Sequence, residues 1–143
     1  MSTSQTSTAR AITKSVTIQR DPAAVFRYLS DLANWPAWGV VNVKAVKPQP
    51  EEAWWDLETP QGHGKIRLRP NADLGILDHD FIGPDAQWTV PARVVPNGEG
   101  TEFMMTFFQP PSFTDDVFVS QLSLVDVELA KLKEILEEIG ERA

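Results

Sequence analysis

No cysteine occurs among the 143 residues, which excludes thiolate catalysis, disulfide frameworks and thiolate metal sites. Basic side chains are scarce: 13 Lys and Arg stand against 20 Asp and Glu, and the formal net charge of -7 repels phosphate backbones. No clustered basic stripe offsets that charge, so nucleic acid is not an expected partner. Long apolar runs are missing too, and nothing approaches the roughly 20 residues of a membrane span. Residues 1–11 are mostly Ser, Thr, Gln and Ala, without the apolar core of a signal peptide, and read as a disordered tail. A cytoplasmic, soluble protein is the expectation. The chain also lacks a phosphate-cradling glycine loop, a nucleophile elbow and a zincin motif. Its two histidines, His63 and His79, have no third nitrogen or sulfur ligand with which to hold zinc. Neither a metal nor a cofactor is expected.

What remains is ample for one core, and residues 12–143 read as a single domain. Ile12, Val16 and Ile18 alternate with Thr13, Ser15 and Thr17, as a half-buried strand over 12–19 requires. Asp21 and Pro22 then supply an N-cap and a first-turn proline for a short helix carrying Val25, Phe26 and Leu29. Trp35-Pro36-Ala37-Trp38 follows as a compact turn with its rings packed inward. Beyond Gly39 the pattern predicts strands over 40–47, 52–58, 63–69, 74–82, 87–96 and 100–109. The gaps hold turn residues such as Pro60-Gln61-Gly62, Asn71-Ala72-Asp73 and Asn97-Gly98, too short for anything but antiparallel hairpins. Thr114 caps a last, long helix whose stripe of Phe118, Leu122, Val125, Leu129, Leu132, Leu136 and Ile139 packs across the sheet. The expected fold class is therefore α+β: a curved antiparallel sheet of about seven strands, two short helices and a long C-terminal helix.

Side-chain parity follows once each hairpin is centred on its turn. One face then carries Trp55, Leu57, Ile66, Leu68, Leu77, His79, Phe81, Trp88, Val90, Ala92, Val94, Phe103, Met105 and Phe107, all apolar except His79. The other face sets Asp56 opposite Lys65 and Lys65 opposite Asp78, with Arg93 near Glu102 or Met104. The inner face holds more large rings than packing under one helix needs. Either this face fills the core, or Trp55, Leu57, Ile66, Leu77, His79, Phe81, Trp88, Val90, Phe103, Met105 and Phe107 line a pocket, with Trp35, Trp38, Phe118 and Leu122, for a small hydrophobic or aromatic molecule.

His79 is the titratable group on that inner face, and imidazole suits proton transfer near neutrality. It reads either as a buried histidine satisfied by a neighbouring polar group or as the polar fixture of a site. Asp126 lies four residues after Leu122 and three before Leu129, at the margin of the helix's apolar stripe. It reads either as a solvated flank residue near Lys133 or as an acid-base partner of His79 in a cyclase or dehydratase. A β-bulge would turn Asp78 or Arg93 inward, the latter as a clamp for a substrate carboxylate. Met104, Phe108 and Val95 on the outer face supply a third reading, a homodimer or partner surface.

The order of elements over 12–139 resembles the SRPBCC superfamily, also called START-like or helix-grip. The residues that carry the likeness are Val16-Thr17-Ile18 leading to Asp21-Pro22 and Val25-Phe26, the segment from Asp31 to Trp38, and Leu129 to Leu136. More narrowly, Gly75-Ile76-Leu77-Asp78-His79, Pro91 to Gly98 and Asp126 to Lys133 look like a bacterial branch often labelled polyketide cyclase or dehydrase-like. The resemblance implies a helix-grip fold with a cavity between sheet and helix, and brings no reaction with it.

Overall fold

A computed structural model describes residues 7–48, 53–84 and 86–142, with the side chains of 139–142 excepted. The expectation of a disordered tail therefore falls largely outside the described residues, as does that for Ile139. Strand β1 (Ala11–Ile18) runs directly into an N-cap: the Asp21 carboxylate accepts from the Ala24 N–H at 3.1 Å, and Pro22 occupies the first turn of α1 (Pro22–Leu29). A second cap repeats the device, since Asp31 accepts from the Ala33 N–H at 2.9 Å and opens a 3-10 turn, Leu32–Asn34. That turn leads into α2 (Trp35–Trp38), a single turn that buries both tryptophans. Trp35 is fixed by its indole N–H, which donates to the Leu29 carbonyl at 2.9 Å.

The strands that follow are β2 (Ala45–Pro48), β3 (Trp55–Thr59), β4 (Gly62–Asn71), β5 (Ile76–Ile82), β6 (Gln87–Val90), β7 (Ala92–Asn97) and β8 (Gly100–Phe108). All pairings are antiparallel, in the order β1-β8-β7-β5-β4-β3-β2, with β6 also paired to β5. Among the described residues the sheet has eight strands where about seven were expected, because Pro91 divides 87–96 in two. Proline has no N–H to give the ladder. At the break, the Ala92 N–H donates to the Asp78 carboxylate at 2.9 Å instead of to a neighbouring backbone carbonyl.

Two other expectations need correction. Residues 40–44 are not strand: Val43 N–H closes a turn onto the Gly39 carbonyl at 2.8 Å, and the Val41 and Asn42 N–H groups bond the Glu128 side chain. In the β4–β5 hairpin Lys65 faces Ile82, while Asp78 faces Arg69. The cause is a 3-10 turn, Ala72–Leu74, closed by Gly75 at φ 66, which moves the hairpin apex two residues along the chain. An apex shift of two residues leaves parity intact. Of the two partners open for Arg93 on β8, Met104 is the one it faces.

Helix α3 (Asp115–Arg142) begins where the Thr114 hydroxyl accepts from the Val117 N–H at 3.2 Å, with Asp115 and Asp116 suited to the positive end of the helix dipole. Phe118, Leu122, Val125, Leu129, Leu132 and Leu136 are all buried in one cluster with the inner sheet face and the α1–α2 segment. Each such side chain contributes about 1.5–3 kcal/mol by leaving water. Along β1 the helix is tied by Lys14 to Asp126 at 3.0 Å, by Lys133 Nζ to the Thr17 carbonyl at 2.8 Å and by the Gln19 N–H to Glu137 at 2.8 Å. The helix is thus fastened along one sheet margin, and the space beneath its N-terminal half is left to the cavity.

Candidate functional site

Between the sheet, α2 and the first half of α3 lies a half-open cavity of about 130 Å³. An apolar cavity of about 150 Å³ accepts a benzene molecule, so this space suits one ring, with room at its mouth for more. Its walls come from four places. Trp35, Trp38, Asn42 and Val43 stand on one side, and Ile66, His79, Phe81, Trp88, Val90, Met105 and Phe107 rise from the sheet. Gln121, Leu122, Val125 and Glu128 descend from α3, and Gln61, Gly83, Pro84, Ala86 and Phe113 belong to turns.

Ten of the fifteen residues expected to line a pocket do so: Trp35, Trp38, Ile66, His79, Phe81, Trp88, Val90, Met105, Phe107 and Leu122. The other five face inward but serve packing. Leu57, Leu77, Phe103 and Phe118 are fully covered by neighbours, and Trp55 lies half-buried against the core. Phe118 shows the division well, because its ring stacks on Trp88 at 6.2 Å and 16° and so supports the wall from behind.

Asp126 does not reach the cavity. Its side chain is 58% exposed and pairs with Lys14 on the flank of α3. One residue is about 100° of helix turn, so Asp126 leaves the stripe to which Val125 belongs, while Glu128, three residues after Val125, returns to it. Glu128 is 5% exposed, and its two oxygens accept from the Val41 N–H at 3.2 Å, the Asn42 N–H at 2.9 Å and the Asn42 amide at 3.1 Å. Burial raises its pKa above the ordinary glutamate value, against the pull of those hydrogen bonds and of Lys44. The sequence reading missed Glu128, although a carboxylate between Val125 and Leu129 on the apolar stripe is the signal that would have found it.

His79 is 5% exposed and packs edge-on against Trp35, ring centroids 4.9 Å apart. Its Nδ1 lies 3.0 Å from the Leu77 carbonyl oxygen. A carbonyl can only accept, so Nδ1 carries the proton and Nε2 of the neutral ring presents a lone pair. Burial lowers the pKa of the ring, opposed by the Leu77 bond and the charges of Asp78 and Asp80. A second polar group nearby is unsatisfied: the Trp38 indole N–H is buried with no acceptor among the described residues. Among the described residues no lysine or arginine contributes to the walls.

On the outer face, Asp80 is held by Arg67 at 2.7 Å, Arg69 at 3.1 Å and the Thr89 hydroxyl at 2.9 Å, an ion cluster that lies outside the cavity. Arg93 is exposed on that face and Asp78 is engaged by Ala92, so neither enters the cavity. Phe108 is 44% exposed there, with Met104 and Val95 half-buried. His63 is exposed on the same side, beside Glu58 at 2.9 Å. Among the described residues no group of three or more His, Asp or Glu is placed to hold a metal ion, and no helix is long and apolar enough to cross a membrane.

The structure is similar to a crystal structure of an uncharacterized protein from Bacillus thuringiensis, at 14% identity and a TM-score of 0.72, covering 89% of this chain and 98% of that one. It is also similar to a START superfamily protein from Mycobacterium smegmatis, at 12% identity and a TM-score of 0.70, covering 90% of this chain and 98% of that one. At these identities the likeness establishes the fold. No curated protein matches the sequence. The model of one family, described as polyketide cyclase / dehydrase and lipid transport, matches residues 9–137, and the chain belongs to that family.

Proposed function

We propose that the protein binds a small hydrophobic or aromatic metabolite in the cavity between the sheet and α3. The observation that carries this reading is an unfilled, mostly apolar space of about 130 Å³ walled by Trp35, Trp38, Phe81, Trp88 and Phe107 and open on one side. Native interiors are close-packed, and a retained apolar hollow of this size forfeits dispersion contacts that a ligand restores. The polar groups at its wall are few, as in ligand pockets generally. An acid-base role for His79 with Asp126 loses its second member, because Asp126 is engaged by Lys14 on the outer flank of the helix. The family's description names both cyclase or dehydrase and lipid-transport activities and so does not choose between turnover and carriage.

Equilibrium dialysis with naphthalene tests the reading. Saturable uptake of about one equivalent per chain is expected, together with at least a tenfold loss of affinity in Val90→Phe, whose added ring occupies the cavity. Uptake that does not saturate, or that Val90→Phe leaves unchanged, refutes it.

A further inference from the structure

The walls carry enough polar detail to choose the ligand class, given the small-molecule reading above. His79 commits Nδ1–H to the Leu77 carbonyl and leaves Nε2 as an acceptor in the cavity wall. The Trp38 indole N–H also lacks a partner among the described residues, but its neighbours seal it from the cavity. The His79 ring stands edge-on to Trp35 with 4.9 Å between centroids, so the acceptor is presented beside an aromatic face. A hydrogen bond made there is worth about 0.5–1.5 kcal/mol net, which is a standing preference for a ligand that brings a donor.

The same walls argue against charge. Among the described residues no lysine or arginine stands in them, and the carboxylate of Glu128 already accepts three bonds from Val41 and Asn42. A carboxylate or phosphate would be desolvated here without a counter-ion, at a cost of several kcal/mol. A plain alkyl chain would leave His79 Nε2 without a donor. We propose that the cavity selects a neutral hydroxylated aromatic compound of one or two rings, its hydroxyl donating to His79 Nε2 and its ring packing against the aromatic walls. A phenolic hydroxyl supplies that donor without bringing a charge.

The test compares 2-naphthol, naphthalene and 2-naphthoate by equilibrium dialysis at pH 7.5, where the first two are neutral and the third is an anion. The naphthol is expected to bind roughly tenfold tighter than naphthalene, the worth of one net hydrogen bond. The naphthoate should bind at least a hundredfold more weakly than the naphthol. In His79→Phe the ratio of naphthol to naphthalene affinity should shrink toward unity. Naphthoate binding as tightly as naphthol, or a ratio untouched in the folded His79→Phe variant, overturns the hydroxyaromatic assignment and leaves the cavity reading standing. Failure of all three compounds to bind overturns both.

Discussion

Glu128 offers the sharpest perturbation, because one side chain both lines the cavity and holds residues 41–42 against α3. Glu128→Ala removes the acceptor for two backbone N–H groups and for the Asn42 amide. Val41 and Asn42 are half-buried, so water recovers part of that loss. At about 1–3 kcal/mol for each fully orphaned donor, a net destabilisation of about 2–4 kcal/mol is expected. Glu128→Gln keeps an amide oxygen for the backbone donors, and the Asn42 side-chain amide can turn to offer its own oxygen to the new amide. It also removes a buried charge, so near neutral pH the Gln protein should match or exceed wild type. The sign with pH follows from the raised pKa of Glu128. The folded state prefers the protonated acid, so the contribution is fully present below the ordinary value of 4.5 and is lost as pH rises through the folded pKa. Wild-type stability minus that of Glu128→Gln should therefore fall from pH 4 upward and level off above the folded pKa. The opposite slope from His79, whose folded pKa is lowered and whose contribution is lost on acidification below 6.5, is common to both proteins and cancels. Urea unfolding from pH 4 to 8, with amide hydrogen exchange at Val41 and Asn42, reads all of this. An Ala variant as stable as wild type with unchanged exchange, or a Gln variant as damaged as Ala, would refute the reasoning.

Two further substitutions probe other parts of the argument. Asp126→Asn breaks an exposed pair with Lys14 and should cost under about 1 kcal/mol by thermal or urea unfolding. Naphthalene uptake should be unaltered, and a marked loss of uptake would return Asp126 to the site. Gly75→Ala meets two obstacles, a φ of 66 and a Cβ that would sit 2.3 Å from the Val94 carbonyl oxygen. Because Val94 N–H also bonds the Gly75 carbonyl at 2.8 Å, the strand cannot simply retreat. A loss of at least about 2 kcal/mol is expected in urea unfolding, and a neutral result would mean that the β5–β7 contact yields easily.

Much of the architecture could be read from the residues, and the reason is parity. The β4–β5 pairing was misplaced, with Lys65 opposite Asp78 in expectation and opposite Ile82 in fact, yet the apex moved by an even number of residues. Leu77, His79 and Phe81 therefore still face inward. The helix stripe from Phe118 to Leu136 was equally legible, since its periodicity is local. What escaped were features that depend on contacts between distant segments. Val40 to Lys44 look like strand by composition, but the Val41 and Asn42 N–H groups turn to Glu128, 86 residues away for Asn42, and Val43 closes back onto Gly39. Asp126 and Glu128 differ in helical phase: Asp126 lies beside the apolar stripe on an exposed flank, whereas Glu128 falls within the stripe and is buried. Which of the inward rings border empty space was also beyond parity: Phe103 and Phe107 lie on the same face of β8, but Phe103 is sealed by Trp38 and its neighbours while Phe107 meets the cavity.

Pairing of β1 with β8 brings together the earliest and latest strands to be synthesised. Thr17 and Glu102 are 85 residues apart, so at about 5–20 residues per second a ribosome needs roughly 4–17 s to deliver the second after the first. Throughout that interval the β1 segment has no native neighbour on which to form a ladder. Thr13, Lys14, Ser15 and Thr17 keep it polar on much of its length, the kind of composition that discourages unpaired strands from joining other nascent chains. Polarity in the opening strand thus limits such association until β8 arrives to pair with it.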